Sequence, residues 1–600
     1  QAHLQEYLVE LAQYHHATAQ HLQAEIGKPA APVGATESAL TSDTDKKAAA
    51  QQSYRLAGDY YREYIDTFAS ADPNATAQDP QVVRMVFLLA ESRFEAEDFA
   101  AAIEAYEQAA YRYSSNDSDS ARRGAEAGYS ALLAYEELIK RAPPEQKSNW
   151  QQLKIDSELR FAQRYAQDAR AVAVQARAAD ELFTSKDYAA AISAASAVLQ
   201  WQPTAEQRLL RSSALIVGHG EFEQQHYAQA EQGYRAALGF MPSNDSERAA
   251  VQERLAATVY KQGEQQLAAG DKQAAAQEFL RVAQVAPDSS IRVNAQYDAA
   301  TQFMDGNDWQ GAINTLNDLR TRFPNHALSA GVAAKLAVAY QQSGQTAAAA
   351  AELSRVAQQD PDAATRREAL LSAAELYRKA GDNSNAIERY RSYVQQYPQP
   401  FAPALEARVQ LSELYPNGEM RRYWLQQTVE ADASAGSARS ERSRFVAAQA
   451  QDELADALYQ SFVALHLTLP LKESLQKKKS ALEQTLKAYN RSIDYGIRQF
   501  ATKATFRIGE IYATLSSDLL KSERPPGLSA LEKEQYDILL EEQADPFIEK
   551  AIAVHEGNAQ RAQQGTYDEW VQQSYTALAQ LLPARYRKPE TKLTVSDEIQ

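Results

Sequence analysis

Three histidines near the N-terminus have a type and spacing that could ligate a metal ion. His15, His16 and His21 lie in one segment with helical periodicity, and neutral imidazole is a common zinc ligand. Histidines on a polar helix are far more often solvated than metal-bound, so we expect no metal site. The chain contains no cysteine, which excludes disulfides, thiolate nucleophiles and cysteine-ligated metals.

A second group of residues, near the C-terminus, could perform acid–base chemistry. His555 and Glu556 follow Glu541 and Glu542 in a segment dense in glutamate. General acid–base catalysis needs such groups within hydrogen-bond reach of a substrate. In a glutamate-rich helix the pattern more commonly marks a solvated or salt-bridged face. We therefore expect no catalytic residues among them.

Familiar catalytic and phosphate-binding motifs do not occur in the sequence. Residues 218–220, Gly-His-Gly, resemble the start of a phosphate loop, but no strand pattern precedes them, so helix packing is favoured. Soluble lytic transglycosylases are also long and helical, yet they need a Glu-Ser pair followed by a Gly-Leu-Met-Gln type segment. Here Gly509-Glu510 leads into Ile-Tyr-Ala-Thr, whereas glycosidic cleavage requires a positioned carboxylic acid. The sequence predicts a protein that is not an enzyme and takes no cofactor.

The overall charge narrows the partners that this chain can bind. It has 600 residues, a net charge of −17 and an isoelectric point near 5.2. Because binders of nucleic acid and of anionic membranes need a basic face, both kinds of partner are disfavoured. The basic run at 477–479 is expected to be a solvated helix face. No run of 18 apolar residues occurs, so no transmembrane helix is predicted.

The elements that would position any functional residue recur with a fixed period. Prolines recur every 37 residues, with one small residue 12 positions before each and another 12 before that. In that order, the members of the ladder are Pro287, Pro324, Pro361 and Pro398; Ala275, Ala312, Ala349 and Ala386; Gly263, Ala300, Ala337 and Ala374. A period in the thirties with small residues at fixed offsets indicates stacked helical repeats.

One unit, residues 291–324, shows how the pattern encodes structure. Apolar residues at helical spacing predict two helices joined by a turn at Gly306 and Asn307. Ala300 and Ala312 allow the two helices to approach closely, where a larger side chain would wedge them apart. Each ladder proline ends the second helix of its unit because proline cannot continue the hydrogen-bond pattern.

The spacing of small residues and proline resembles the tetratricopeptide repeat, a helix–turn–helix unit of 34 residues. The resemblance covers roughly 88–113 and 176–400, with 121–175 and 401–430 as degenerate units. The three additional residues of the 37-residue unit fall between the proline and the next helix, a form similar to that of bacterial envelope proteins. The resemblance implies an all-α superhelical solenoid.

Composition and periodicity divide the chain into six parts. The segment before residue 46 combines a polar helix, with Leu4, Tyr7, Leu8 and Leu11 on one side, and a flexible linker. The predicted parts are the N-terminal helix and linker 1–45, the degenerate units 46–175, the regular array 176–400, a degenerate unit and linker 401–442, the C-terminal helical block 443–588 and a tail 589–600.

The C-terminal block departs from the ladder. Its helices are longer, including one that follows Ser480 and ends at about Phe500 and one that carries Pro546, where a kink is expected. Trp570 occupies the position of a small residue, so its helix pair should splay wider, as in a terminal capping unit.

The same block is similar to the C-terminal part of bacterial envelope tetratricopeptide proteins described as components of TonB-type systems, near ExbB- and ExbD-like motor proteins and gliding-motility genes. The similarity covers about 470–588 and includes Glu549-Lys-Ala-Ile, Tyr567-Asp-Glu-Trp-Val and Pro583-Ala-Arg-Tyr. It supplies no active site but implies a protein partner. The residues that we select as candidate partner contacts are Glu541, Glu542, Pro546, Phe547, His555, Tyr567 and Trp570.

The leading interpretation is a non-enzymatic periplasmic scaffold that binds protein partners, including a TonB/ExbB/ExbD-like motor or an outer-membrane complex. The absence of cysteine suits an oxidising compartment. Two alternatives stay open: an assembly factor that holds unfolded outer-membrane or secreted polypeptides, and a superhelical regulator of a peptidoglycan enzyme. The start at Gln1, without an apolar leader, is expected of a processed or trimmed chain.

Overall fold

The structure, a computed structural model, describes residues 2–28, 42–70, 79–113 and 118–587. All regular structure in these ranges is helical, which confirms the predicted all-α repeat solenoid with longer C-terminal helices. Most of the predicted linker between Gly27 and Asp45, the loop that begins at Ser114 and the tail 589–600 lie outside the described residues. No helix in the described ranges is long and apolar enough to span a membrane.

The chain divides into two units, Gln1–Thr315 and Leu316–Gln600. The boundary between the two units falls within α14 (Trp309–Arg322). In the first unit, a π-helical turn, Gln108–Arg112, extends the fourth helix. The helices that precede it in the first unit are α1 (Ala2–Ala24), α2 (Asp43–Phe68), α3 (Pro80–Glu95), α4 (Phe99–Glu107), α5 (Ser118–Arg141), α6 (Pro144–Arg164), α7 (Ala171–Thr184), α8 (Tyr188–Leu199), α9 (Gln207–Glu223), α10 (Tyr227–Gly239), α11 (Arg248–Ala268), α12 (Lys272–Val285) and α13 (Ile291–Asp305).

The second unit continues with twelve further helices in its described residues, joined by short connections. Three of the connections contain 3₁₀ turns, at Ala327–Gly331, Gly436–Ala438 and Gln560–Gln564. Its helices are α15 (Val332–Gln342), α16 (Thr346–Gln359), α17 (Ala363–Lys379), α18 (Asn383–Gln396), α19 (Phe401–Leu414), α20 (Glu419–Ala433), α21 (Glu441–Val463), α22 (Leu471–Asp494), α23 (Arg498–Leu520), α24 (Ala530–Ala559), α25 (Glu569–Leu581) and α26 (Pro583–Tyr586).

The proline ladder marks helix ends as predicted. α12, α14, α16 and α18 each end two residues before a ladder proline. The small residues of the ladder are buried, with Ala300 and Ala312 fully inaccessible. A methyl group added at Gly263 would lie 2.6 Å from the ring of Phe279, so only glycine fits there. Small residues therefore set the close approach of the paired helices.

The Gly-His-Gly segment at 218–220 lies at contacts between helices and does not form a phosphate loop. It lies within α9, and a methyl group at Gly233 of α10 would come within 2.5 Å of the backbone nitrogen of Gly218. A methyl group at Gly220 would be 2.8 Å from Ile192 of α8. These glycines let three consecutive helices approach one another.

A repeated turn joins the two helices of several units. Its first residue has a positive φ, as in Lys186 (66°), Gly270 (86°) and Gly381 (79°). The next residue is an aspartate whose side chain accepts a hydrogen bond from the backbone N–H three residues on. For Asp271 the acceptor lies 2.9 Å from the nitrogen of Ala274. The aspartate satisfies an N–H group that the first turn of the helix leaves unpaired.

Three predicted segments differ in detail. The degenerate segment 121–175 does not end in one continuous helix, because α6 ends at Arg164 and α7 begins at Ala171. The helix predicted to reach Phe500 ends at Asp494 because Gly496 adopts a left-handed conformation, with a φ of 69°. In α1, Leu8 is buried, whereas Leu4 and Tyr7 are 47% and 58% exposed.

Candidate functional site

The C-terminal block is held together by buried ionic groups. Lys478 is completely buried on α22, with its ammonium 2.6 Å from Asp518 and 2.7 Å from each of the carbonyl oxygens of Phe462 and Leu465. It also lies 4.2 Å from the centre of the Phe462 ring. A buried ammonium needs such compensation. The expectation that the whole basic run at 477–479 is solvated is therefore wrong for its central residue.

A second ionic group joins α21, α22 and α23. The Lys503 ammonium lies 2.6 Å from Asp452 and 2.5 Å from Asp456, and the Tyr489 hydroxyl donates to Asp456 at 2.6 Å. Burial raises the pKa of Asp452, although its bond to Lys503 opposes that shift. Burial lowers the pKa of Lys503, but the hydrogen bonds to both aspartates raise it overall. The group joins three helices and acts as a structural crosslink.

His555 is fully buried between α23, α24 and α25. Its Nδ1 lies 3.4 Å from Ser574 Oγ and its Nε2 lies 3.6 Å from Glu510. A methyl group at Gly509 would overlap the imidazole ring, so the ring packs on the backbone of α23. Burial lowers the pKa of His555 to about 4. His555 can influence a partner surface only through the helices that it positions.

Trp570 and Tyr567 have different roles at the start of α25. The Trp570 ring is half-buried, 5.6 Å from the ring of Phe506 and 5.4 Å from the guanidinium of Arg507. That guanidinium also lies over the ring of Tyr459 at 4.9 Å. Tyr567 is 64% exposed. Trp570 is thus chiefly a packing residue, and Tyr567 is available to a partner.

The first half of α24 carries large apolar side chains on its exposed side. Leu531, Ile538 and Leu539 are 66%, 50% and 57% exposed, whereas Leu540 and Ala544 on the other side are buried. Such exposure of neighbouring apolar side chains marks an interaction surface. The sequence alone indicates this surface, because a helix that packs on one side needs only one apolar stripe, whereas apolar residues occur on more than one side of α24.

Four exposed carboxylates flank these apolar residues: Glu534, Glu541, Glu542 and Asp545. None of them forms an ion pair within the described parts of the chain. Together with Leu531, Ile538 and Leu539 they form what we call the acidic–apolar face of α24. The face places carboxylates around an apolar centre, an arrangement suited to binding protein.

The structure distributes the seven predicted contact residues unevenly. Glu541, Glu542, Pro546 and Tyr567 are exposed, Phe547 and Trp570 are half-buried, and His555 is buried. The helix continues through Pro546 to Ala559. The Lys550 ammonium lies 5.6 Å from the ring of Phe547, which packs against the core of the block. The predicted set therefore contributes two carboxylates to the acidic–apolar face.

The N-terminal histidines take part in packing. His15 stacks on Tyr60 with ring centres 5.7 Å apart, and His16 lies 5.5 Å from the ring of Tyr54 with its Nδ1 3.2 Å from Ser92 Oγ. Across the ranges that the structure describes, no group of three histidine or acidic side chains is placed to hold a metal ion.

Paired helices with small residues at their contacts, ended by prolines and joined by short turns, define a repeat protein of the tetratricopeptide type. A family model described as tetratricopeptide repeat matches residues 282–419, which include α13 to α19. Residues 282–419 are thus similar to tetratricopeptide repeats. A search of curated proteins gave no match.

The solved structures that are similar to this chain include two of the human IFIT1 dimer and one of a tetratricopeptide domain. IFIT1 with PPP-AAAA is 13% identical over 72% of this chain and 97% of that one, with a TM-score of 0.19. IFIT1 with m7Gppp-AAAA is 12% identical over 73% and 94%, also with 0.19. The P58(IPK) TPR domain is 16% identical over 62% and 97%, with 0.17. Likeness at this level says nothing about what this chain binds.

Proposed function

We propose that this protein is a non-enzymatic periplasmic scaffold in a cell-envelope complex of the TonB/ExbB/ExbD type. Tetratricopeptide repeats serve as surfaces for protein–protein interaction, which supports the scaffold part of the proposal. The observation that carries the proposal further is the acidic–apolar face of α24, which lies outside the matched repeats and exposes Leu531, Ile538 and Leu539. A partner that covers these side chains gains the free energy of burying them.

Two sequence features support the location and the kind of partner. The chain has no cysteine, which suits an oxidising compartment. Residues 470–588 are similar to the C-terminal part of envelope proteins associated with ExbB- and ExbD-like motors. The acidic–apolar face lies within that similar segment, so the partner of this face would be an envelope protein.

Crosslinking in intact cells tests the proposal. A photoreactive amino acid at Leu539 should capture one or a few envelope proteins, with an ExbD- or TonB-like protein among them when the adducts are identified by mass spectrometry. The same amino acid at Asn149, an exposed position on α6 far along the chain, is the matched control. Capture of many unrelated unfolded polypeptides would favour the assembly-factor alternative, and capture of no envelope protein would overturn the proposal.

A further inference from the structure

A groove of about 620 Å³ lies over α21 between α20 and α22. Leu454 and Leu458 of α21 form part of its floor, and both are half-buried. Tyr423 on the α20 side lines it and is 46% exposed. The groove therefore offers an apolar floor that can receive a row of side chains from a helix.

Three cations line this groove without an opposite charge of their own. Arg422, Lys487 and Arg491 form no ion pair in the described part of the chain. By contrast, the neighbouring Arg421 binds Glu453, with Nη2 and Oε2 3.0 Å apart. Unpaired cations in a chain of net charge −17 make this groove a place where an acidic segment would be attracted.

Two carboxylates, Glu419 and Glu430, also line the groove. Glu430 accepts a hydrogen bond of 2.8 Å from the side chain of Gln427. The lining thus contains three cations and two carboxylates around apolar residues. It fits a helix that carries several carboxylates and a smaller number of cations.

The acidic–apolar face of α24 has these properties. Its carboxylates are Glu534, Glu541, Glu542 and Asp545, and the exposed Lys533 beside them is a cation that can meet a groove carboxylate. The part of the face from Ile538 to Asp545 and the groove floor from Leu454 to Ser461 each span seven residue steps, roughly 10 Å at 1.5 Å per residue. This part of the face matches the groove in length, in apolar content and in charge, and Leu531 lies about two helical turns before it.

We infer that the chain self-associates, with the acidic–apolar face of α24 in one copy seated in the groove between α20, α21 and α22 of a second copy. Within one copy the face stays uncovered by the described residues, since Leu531, Ile538 and Leu539 are exposed, so the inferred contact lies between copies. Since the two surfaces differ, the contact either forms twice in a two-fold dimer or continues as a chain of copies.

Self-association and the proposed envelope partner would compete for the same face of α24. The inference does not depend on that partner, because the purified chain supplies both surfaces. Sedimentation velocity of the full chain, with no other protein present, should show a concentration-dependent dimer or larger species. Because the contact pairs exposed charges, it should weaken as salt is raised.

Charge reversal on each surface gives the decisive test. The groove variant Arg422→Glu/Lys487→Glu/Arg491→Glu and the face variant Glu541→Lys/Glu542→Lys/Asp545→Lys should each raise the dissociation constant on the order of a hundred-fold. Mixing the two variants should restore association, since each reversed surface then meets its opposite. Glu483→Lys, an exposed charge on α22 outside the groove, is the control and should change nothing.

Circular dichroism of each variant checks that it stays helical. A chain that is monomeric at all concentrations in low salt would overturn the inference. So would self-association that neither variant weakens, or a mixture of the two variants that does not associate.

Discussion

Ionisable side chains in the C-terminal block connect its helices to one another. Lys503, Asp452 and Asp456 form a buried ionic group, and His555 lies beside Glu510. The Lys503 ammonium is compensated by two aspartates of α21, whereas His555 is held neutral because burial lowers its pKa. Groups of this kind fix which helices pack together.

The protonation of His555 should make the stability of the block depend on pH. Its pKa is about 4 in the folded chain because of burial, against an ordinary value of 6.5. Between these two pH values the unfolded chain binds a proton that the folded chain does not. The free energy of unfolding is therefore highest above pH 6.5 and falls as the pH drops below that value. From pH 7 to pH 5 the loss should be about 2 kcal/mol.

Urea unfolding at both pH values measures this effect. The pH dependence of the free energy of unfolding should be smaller in His555→Gln, because glutamine cannot be protonated. It should be unchanged in His21→Gln, since His21 is exposed on α1. Equal pH dependence in the original chain and in His555→Gln would show that other groups cause it.

At the scale of the elements, the turn between paired helices is the repeated device. A residue with positive φ reverses the chain and the following aspartate caps the next helix, as Gly270 and Asp271 do before α12. Asp271→Ala removes the acceptor for the Ala274 N–H group and should lower the free energy of unfolding by about 1 kcal/mol. Chemical denaturation checks this. Asp288→Ala, an exposed aspartate in the next connection, should have almost no effect.

The sequence accurately predicts the helices that follow the ladder of prolines and small residues. α11 to α18 begin and end close to the predicted turns and prolines because steric rules for proline, glycine and small residues act locally. The end of α22 was predicted too late, since one left-handed glycine outweighed the helix-forming residues around it. Such a conformation is not visible in hydrophobic periodicity.

Features that depend on several helices could not be predicted. In the sequence, Lys478 is indistinguishable from the two lysines beside it, which are solvated. Its partners, Asp518 and two carbonyl groups, come close to it only in the folded chain. The groove over α21 requires residues from three helices, and the exposure of Leu539 depends on which side of α24 packs on α23. The residues selected from the sequence include Glu541 and Glu542 on α24 but not the exposed Leu531, Ile538 and Leu539 of the same helix.

At the scale of the whole molecule, a repeat array transmits stability mainly between neighbouring helices. The chain divides into Gln1–Thr315 and Leu316–Gln600, so a local defect in one unit should leave the other largely unaffected. Lys478→Met deprives Asp518 of its buried partner and should cost about 3 kcal/mol. Gly233→Ala forces a methyl group against the backbone of Gly218 and should cost about 2 kcal/mol.

Hydrogen exchange measured by mass spectrometry on the full chain separates these effects. Lys478→Met should accelerate exchange in α21 to α23 and leave exchange in α8 to α11 unchanged. Gly233→Ala should accelerate exchange in α8 to α11 and leave exchange in α21 to α23 unchanged. Lys477→Met, at the exposed neighbour of Lys478, should change neither region. If either destabilising variant accelerated exchange throughout the chain, the molecule would unfold as one cooperative body. A partner that binds the C-terminal block could then alter the N-terminal repeats, whereas local responses confine its influence to the helices around α24.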